Sequence, residues 1–522
     1  MTQPLKFNNE YLYPHVIPHW AKFNPKGVAV ICDDESRTWP ELERRTSKVA
    51  NALIAAGVKK DVKVCLFMRN SMINFELFWG IVRSGGVIVA LNPMMQGEAL
   101  ANMINKSDGV LLFTDADELP TIEPIVDQLH RIPRERIYVA GGAPAWNSAE
   151  DFIEAGDPTP VNVQIDPQDS INIVYTSGST GTPKGTEHAH IARHQHTFGA
   201  GHWFGFDRRS VTILASQLFA NGTWVTMGPT LYRGGTVVLQ RKFSGEDFIR
   251  LVEKHRATHA FLVPTMTIQI LAALKPEHDM SSFRVLYSSG QPLMPQTIDD
   301  IARLLPKAEL WELYGQSEGW CTVMGPKDRV GDKRGSVGFP SFLDDVRVVD
   351  DDGNDVPAGE IGEICGYSMN LMKGYYKDPE NTAKATWVSP EGRTYIRSGD
   401  LGRIDEDGFL WLAGRKKDMI KSGGLNIFAA DLEAELTKHP AVHEAAAIGI
   451  PHPKWVETPL AFVILKDGAE ATAEEILAWT NARLNKFQRL SAVELVEDLP
   501  RVTYGKVDKP KLRAKYWPAT AN

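Results

Sequence analysis

The chain has 522 residues, too many for one compact core, so at least two domains are expected. Its 43% hydrophobic and 23% charged content is that of a globular protein, and a net charge of −8 argues against a general nucleic-acid binder, which needs a basic face. Cys32, Cys65, Cys321 and Cys365 show neither metal-ligand nor disulfide spacing. The N-terminus lacks a basic region followed by an apolar core, and no apolar run approaches the roughly 20 residues that span a bilayer. A soluble cytoplasmic protein is therefore expected, as a monomer or homodimer.

The first 120 residues alternate strand-like and helix-like segments. Val28 to Ile31 reads as a short buried strand. Thr38 and Glu41 make a capping-box pattern ahead of a helix carrying Leu42, Val49, Leu53 and Ile54, which stops near Gly57. Val62 to Met68 is a second strand, Ile73 to Val82 a helix, and Val87 to Leu91 and Val110 to Phe113 are further strands. Such alternation predicts parallel sheets covered by helices.

The apolar run Ile171 to Val174 opens into Tyr175 to Gly185, YTSGSTGTPKG. Bare backbone N–H groups, hydroxyls and the Lys184 ammonium there share one small volume, which suits polyphosphate. It is no Walker A loop, because Gly185 follows Lys184 where Ser or Thr would stand. His188, His190, His194, His196 and His202 come next. Zinc is conceivable for His at i and i+4, but with only Glu187 and no Cys among them, solvated or hydrogen-bonded helix histidines are expected.

The sheet rhythm resumes with Thr236 to Leu239, Ala260 to Val263 and Val285 to Ser288. YGQSE, Tyr314 to Glu318, follows the strand-like Leu310 to Leu313 and places a hydroxyl, an amide and a carboxylate at a strand end, where ligands of α/β sheets gather. From about Val346 the texture changes to short strands and Asp/Gly turns. SGDL, Ser398 to Leu401, sets the Asp400 carboxylate after Gly399, suited to two ribose hydroxyls, with Arg415 close behind. Gly423 and Gly424, in KSGG, allow close backbone approach, and TYGK ends on Lys506. The tail reads as a small α+β unit: helix Ala430 to Lys438, strands Ala445 to Ile450 and Pro459 to Leu465, helix Ala473 to Leu484, strand Ala492 to Val496.

These motifs, in this order from about residue 27 to residue 509, resemble those of the adenylate-forming superfamily, which includes acyl-CoA synthetases, adenylation domains of peptide synthetases and luciferases. The resemblance implies a large α/β N-terminal domain of stacked, mainly parallel sheets with a small β subdomain (1–414), a hinge (415–418) and a small mobile α+β lid (419–522). It implies ATP, Mg²⁺ and coenzyme A. ATP and AMP would be held by Thr176, Ser177, Gly178, Ser179, Thr180, Gly181, Thr182 and Lys184, by Ser289, Gly290, Gln291 and Pro292, and by Glu312, Leu313, Tyr314, Gly315, Gln316 and Ser317. Asp400 and Arg415 resemble the ribose ligands. Thr180 and Glu318 would serve Mg²⁺, and Lys506 resembles the catalytic lysine that bridges the carboxylate and the α-phosphate.

Phe219 resembles the gate between acid pocket and thiol tunnel, though it also fits a core aromatic. Asn221, Gly222, Trp224, Met266, Gly290, Trp320 and Val323 are candidate pocket residues. None is Arg or Lys, which favours a medium aliphatic or aryl monocarboxylic acid. Lys417 resembles the hinge residue, a solvated charge run being the lesser alternative. Ser422, Gly423 and Gly424 would meet the pantetheine arm.

The implied reaction is acid:CoA ligation through an acyl-adenylate. Transfer to a carrier-protein thiol is the alternative. An inactive relative is disfavoured by Lys184, Glu318, Asp400 and Lys506, and a P-loop kinase by the lack of GxxxxGK[ST]. Three departures bear on the acid: Ala220 and Asn221 stand where a His often follows the gate aromatic, Thr186-Glu187-His188-Ala189 replaces an apolar pair, and Trp320 could intrude on the pocket.

Overall fold

A computed structural model describes residues 11–176, 183–341, 343–423, 425–501 and 507–517. The chain forms two compact units. One comprises residues up to Asp345 together with Tyr367–Ala385, the other Val346–Gly366 and residues from Thr386 onward.

The first unit contains an eight-stranded and a nine-stranded sheet. In the eight-stranded sheet, Ser170–Thr176, Val87–Ala90, Lys63–Phe67, Leu111–Asp115, Ile137–Ala140 and Asn147–Ser148 run parallel. Lys184–Ala189 and Gly374–Tyr375 add an antiparallel edge. The nine-stranded sheet is parallel from Val28–Cys32 through Thr236–Leu239, Val211–Leu214, His259–Leu262 and Val285–Ser289 to Glu309–Gly315. Antiparallel strands close both of its edges, among them Glu35–Thr38, which the sequence does not signal.

The main core joins side chains of both sheets to helices Trp39–Ala55, Met72–Arg83 and Thr223–Tyr232. Met72–Arg83 is buried at every position except Ile73, as a helix enclosed on all sides must be. The predicted capping box is formed: the Thr38 N–H and hydroxyl both donate to Glu41 Oε2, at 2.8 and 2.7 Å.

The second unit has two small sheets. One pairs Gly362–Ser368, Thr394–Ile404 and Leu410–Arg415, and the other is built on the long hairpin Val442–His452 with Val456–Leu465. Helices Ala429–Leu436 and Ala473–Asn481 cover the latter's core, close to the predicted spans. The mixed α/β class with a small C-terminal sheet domain is as expected. No helix among the described residues is long and apolar enough to cross a membrane.

Candidate active site

The Ser/Thr/Gly segment joins two antiparallel strands, with Thr176 in register with Lys184. Ser177, Gly178, Ser179, Thr180, Gly181 and Thr182 lie outside the described residues. The return strand Lys184–Ala189 pairs onward with Gly374–Tyr375, Tyr375 opposite Thr186. Lys184 and Tyr375 thereby become diagonal neighbours, and the Lys184 ammonium rests 4.9 Å from the centre of the Tyr375 ring. The Tyr375 hydroxyl donates to Glu318 Oε1 at 2.6 Å. Burial, with the Glu318 charge beside it, pushes the phenol above its ordinary range, so it stays a donor. Tyr375 is a candidate site residue, by its contacts with Lys184 and Glu318, that sequence reasoning missed; its only signal, a lone GYY triplet, carries no role by itself.

Glu318 lies in the turn between Glu309–Gly315 and Cys321–Met324, with Tyr314 opposite Thr322 and Gly315 opposite Cys321. Gly319 N–H donates to Gln316 O at 3.1 Å, and Gln316 N–H to Trp320 O at 3.3 Å. Gly319 has φ +115°, and a Cβ there would lie 2.1 Å from Asn370 O, so only glycine fits. Met372 N–H donates to Glu318 O at 2.8 Å. The second Glu318 carboxylate oxygen makes no hydrogen bond among the described residues, which suits a hard cation such as Mg²⁺, commonly held by one or two carboxylates.

Tyr314 meets Trp320 edge-on at 5.5 Å, and Trp320 is only 2% exposed. Ser289, Gly290, Gln291 and Pro292 leave the C-terminal end of the parallel strand Val285–Ser289, where such a sheet presents ligands; Gly290, Gln291 and Pro292 are exposed. Glu312 differs from its neighbours: its carboxylate is ion-paired to Arg329 and accepts the Leu293 N–H at 3.2 Å.

Of the acid-side candidates, Trp224 is enclosed in the core by Tyr13, Phe78 and Trp79 at 5.5, 5.5 and 5.9 Å. Val323 packs with Phe204, Phe261 and Tyr287. Phe219 and Met266 are half-buried against apolar clusters. Gly222 is closely approached, since a Cβ would stand 2.4 Å from the Phe261 ring. Asn221 Oδ1 accepts from Arg193, a buried cation that sequence reasoning did not place beside it.

The expectation of helix histidines fails at His188, which lies on the strand Lys184–Ala189 because the chain turns back there before entering the helix His190–Trp203. His188 is buried and bonded to Ser317 O at 2.7 Å, while His194 Nδ1 meets the Tyr232 hydroxyl at 2.8 Å. No group of three or more potential metal ligands occurs among the described residues.

In the second unit, Asp400 and Arg415 face each other across two strands, Arg415 Nε 2.7 Å from Asp400 Oδ1. Lys417 sits in the short turn Lys416–Asp418, and its carbonyl accepts from Arg513 Nη1 at 2.7 Å. Ser422 ends the strand Ile420–Ser422. Gly423, at φ +58°, donates its N–H to Trp455 O at 2.9 Å. Gly424 and Lys506 lie outside the described residues.

The family model described as AMP-binding enzyme matches residues 17–376, and that of the AMP-binding enzyme C-terminal domain matches residues 431–506. Over 503 residues the chain is 32% identical to the feruloyl-CoA synthase of an Amycolatopsis species, covering 95% of this chain and 97% of that one. Over 511 residues it is 28% identical to the fatty acid–[acyl-carrier-protein] ligase ScoC of Streptomyces coeruleorubidus, covering 95% of each. ATP-bound MatB of Rhodopseudomonas palustris superposes with a TM-score of 0.86 at 27% identity, over 96% of this chain and 99% of that one. The chain belongs to the AMP-binding enzyme family: it is an adenylate-forming enzyme, related along almost its whole length to AMP-forming CoA ligases.

Proposed function

We propose that the protein is an ATP-dependent carboxylic acid:CoA ligase. An acid carboxylate attacks the α-phosphate of ATP, giving an acyl-adenylate and pyrophosphate. A thiol then attacks the acyl carbon and AMP leaves. The observation that carries the reading is the Lys184–Tyr375–Glu318 cluster, which puts a cation and a carboxylate together at the end of the Ser/Thr/Gly hairpin. Lys184 and the 176–184 loop take the β- and γ-phosphates, with Thr180 positioning them, and Glu318 holds Mg²⁺, which when bound offsets phosphate charge. Tyr314 lies beside adenine, while Asp400 and Arg415 take the ribose. Lys506 bridges the reacting carboxylate and phosphate.

The acceptor thiol comes from outside the chain. Burial pushes the Cys32 thiol up to about 11 and those of Cys65 and Cys365 to about 12, and Cys321 is raised too, so none is a ready nucleophile. Coenzyme A is the acceptor we favour, with residues 415–418 as hinge, 419–522 as lid, and Ser422, Gly423 and Gly424 along the pantetheine arm. A carrier-protein thiol is the second reading, supported by the likeness to ScoC. The acid is a medium-chain aliphatic or aryl monocarboxylic acid, in keeping with apolar Phe219, Met266 and Val323.

The test is exchange of labelled pyrophosphate into ATP over a panel of acids, followed by thioester formation with and without free coenzyme A. No exchange with any acid overturns the reading, and exchange without CoA turnover moves it to a carrier acceptor. Lys506→Ala is expected to lower adenylation by about 10²-fold or more, while thioester formation from supplied acyl-adenylate changes little. Equal losses in both half-reactions would contradict that role.

A further inference from the structure

Arg193 and His188 form a buried polar pair where two apolar side chains would pack more cheaply. Arg193 is 5% exposed, and no carboxylate pairs with it among the described residues. Its acceptors are all neutral: Nε donates to Asn172 Oδ1 at 2.9 Å and Nη2 to Asn221 Oδ1 at 2.8 Å, while the guanidinium rests 4.7 Å from the centre of the Trp224 ring. Nη2 also lies 3.2 Å from His188 Nδ1. A guanidinium can only donate, so Nδ1 accepts and the imidazole proton sits on Nε2. Nε2–H therefore donates to Ser317 O at 2.7 Å. A continuous run of hydrogen bonds leads from Asn221, just before the acid-side helix Thr223–Tyr232, through Arg193 and His188 to the peptide adjoining Glu318.

Enclosing a cation among neutral acceptors is unfavourable, and replacing a buried charged set by apolar side chains is often neutral or stabilising. Stability therefore does not explain the pair, whereas what it grips does. The Glu318 turn is held at its carboxylate by Tyr375 and at its backbone by Met372 N–H. At Ser317 O, among the described residues, it is held by His188.

We propose that His188 and Arg193 are positioning residues for adenylation, setting the Glu318 turn against the acid-side segment so that the carboxylate meets Mg²⁺·ATP in one geometry. The proposal rests on the reading of Glu318 as the nucleotide-side carboxylate.

Full-length wild type, His188→Leu, His188→Gln and the double variant His188→Leu/Arg193→Leu test it. Calorimetric affinity for Mg²⁺·ATP, KM for Mg²⁺·ATP and for acid in pyrophosphate exchange, and melting temperature are measured for each. His188→Leu is expected to weaken Mg²⁺·ATP about tenfold in both affinity and KM, leaving the acid KM within about twofold. His188→Gln, whose amide can donate to Ser317 O, should return to within about threefold of wild type. The double variant, which removes the guanidinium that His188→Leu leaves short of an acceptor, should melt no lower than His188→Leu yet keep the weakened Mg²⁺·ATP interaction. Equal affinity in wild type and His188→Leu, or recovery of affinity in the double variant, overturns the proposal, as does a KM that merely follows melting temperature. Absence of exchange in wild type overturns the ligase reading alone, because the calorimetric comparison still decides the positioning role.

Discussion

Tyr375 joins two residues far apart in the chain, Lys184 and Glu318, by offering its ring to one and its hydroxyl to the other. Both interactions need only a phenol at the right register, so they can be separated. Tyr375→Phe keeps the ring beneath Lys184 and deletes the bond to the Glu318 carboxylate. A hydrogen bond to a charged group contributes about 1.5–3 kcal/mol to stability, so the melting temperature should fall, and with the Glu318 carboxylate no longer held, KM for Mg²⁺·ATP should rise by about tenfold. A KM unchanged in pyrophosphate exchange would remove Tyr375 from the site. Lys184 and Glu318 are legible in the sequence because their motifs are local. Tyr375 is not, because its partners are set by strand pairing over long separations.

The turn between Glu309–Gly315 and Cys321–Met324 shows what an element adds to its residues. Gly315 and Gly319 allow the tight return, and Trp320 then folds back edge-on against Tyr314. Trp320→Gly removes a buried aromatic and should cost about 3–5 kcal/mol of stability, lowering the melting temperature. If Trp320 shortens the acid pocket, the same variant accepts longer acids in a pyrophosphate-release screen, and an acid profile identical to wild type would dismiss that role. His188 is misread from sequence at this same scale. A run of closely spaced histidines looks helical, but pairing of Asn172 with His188 draws the first of them into the sheet.

Across the whole molecule, buried titratable groups set the response to pH. Burial pushes His190, His196 and His259 down to about 4. Between roughly pH 4 and 6.5 the unfolded chain therefore binds more protons than the folded one, so these groups favour folding above pH 6.5 and lose that contribution as pH falls through their folded values. Asp344 acts in the opposite sense. Burial raises its carboxyl to about 6, so its contribution is full below about pH 4 and is lost as pH rises to 6. Burial lowers His188, His194 and His255 as well and raises Asp431 and Glu433, so six histidines oppose three carboxyls and urea midpoints should fall from pH 7 to pH 5. Midpoints that rise over that interval would show these histidines to be charged in the folded chain.

Composition and motif order suffice for the α/β class, the separate C-terminal sheet region and the family, because strand and helix periodicity and the Gly, Ser, Thr and Lys content of a loop are properties of neighbouring residues. It takes the folded chain to bring Tyr375 to Lys184 and Glu318, to commit Glu312 to Arg329, and to connect Arg193 to Ser317 through His188. Those contacts depend on strand register and on which faces are buried together, and a linear sequence carries no local signal for either.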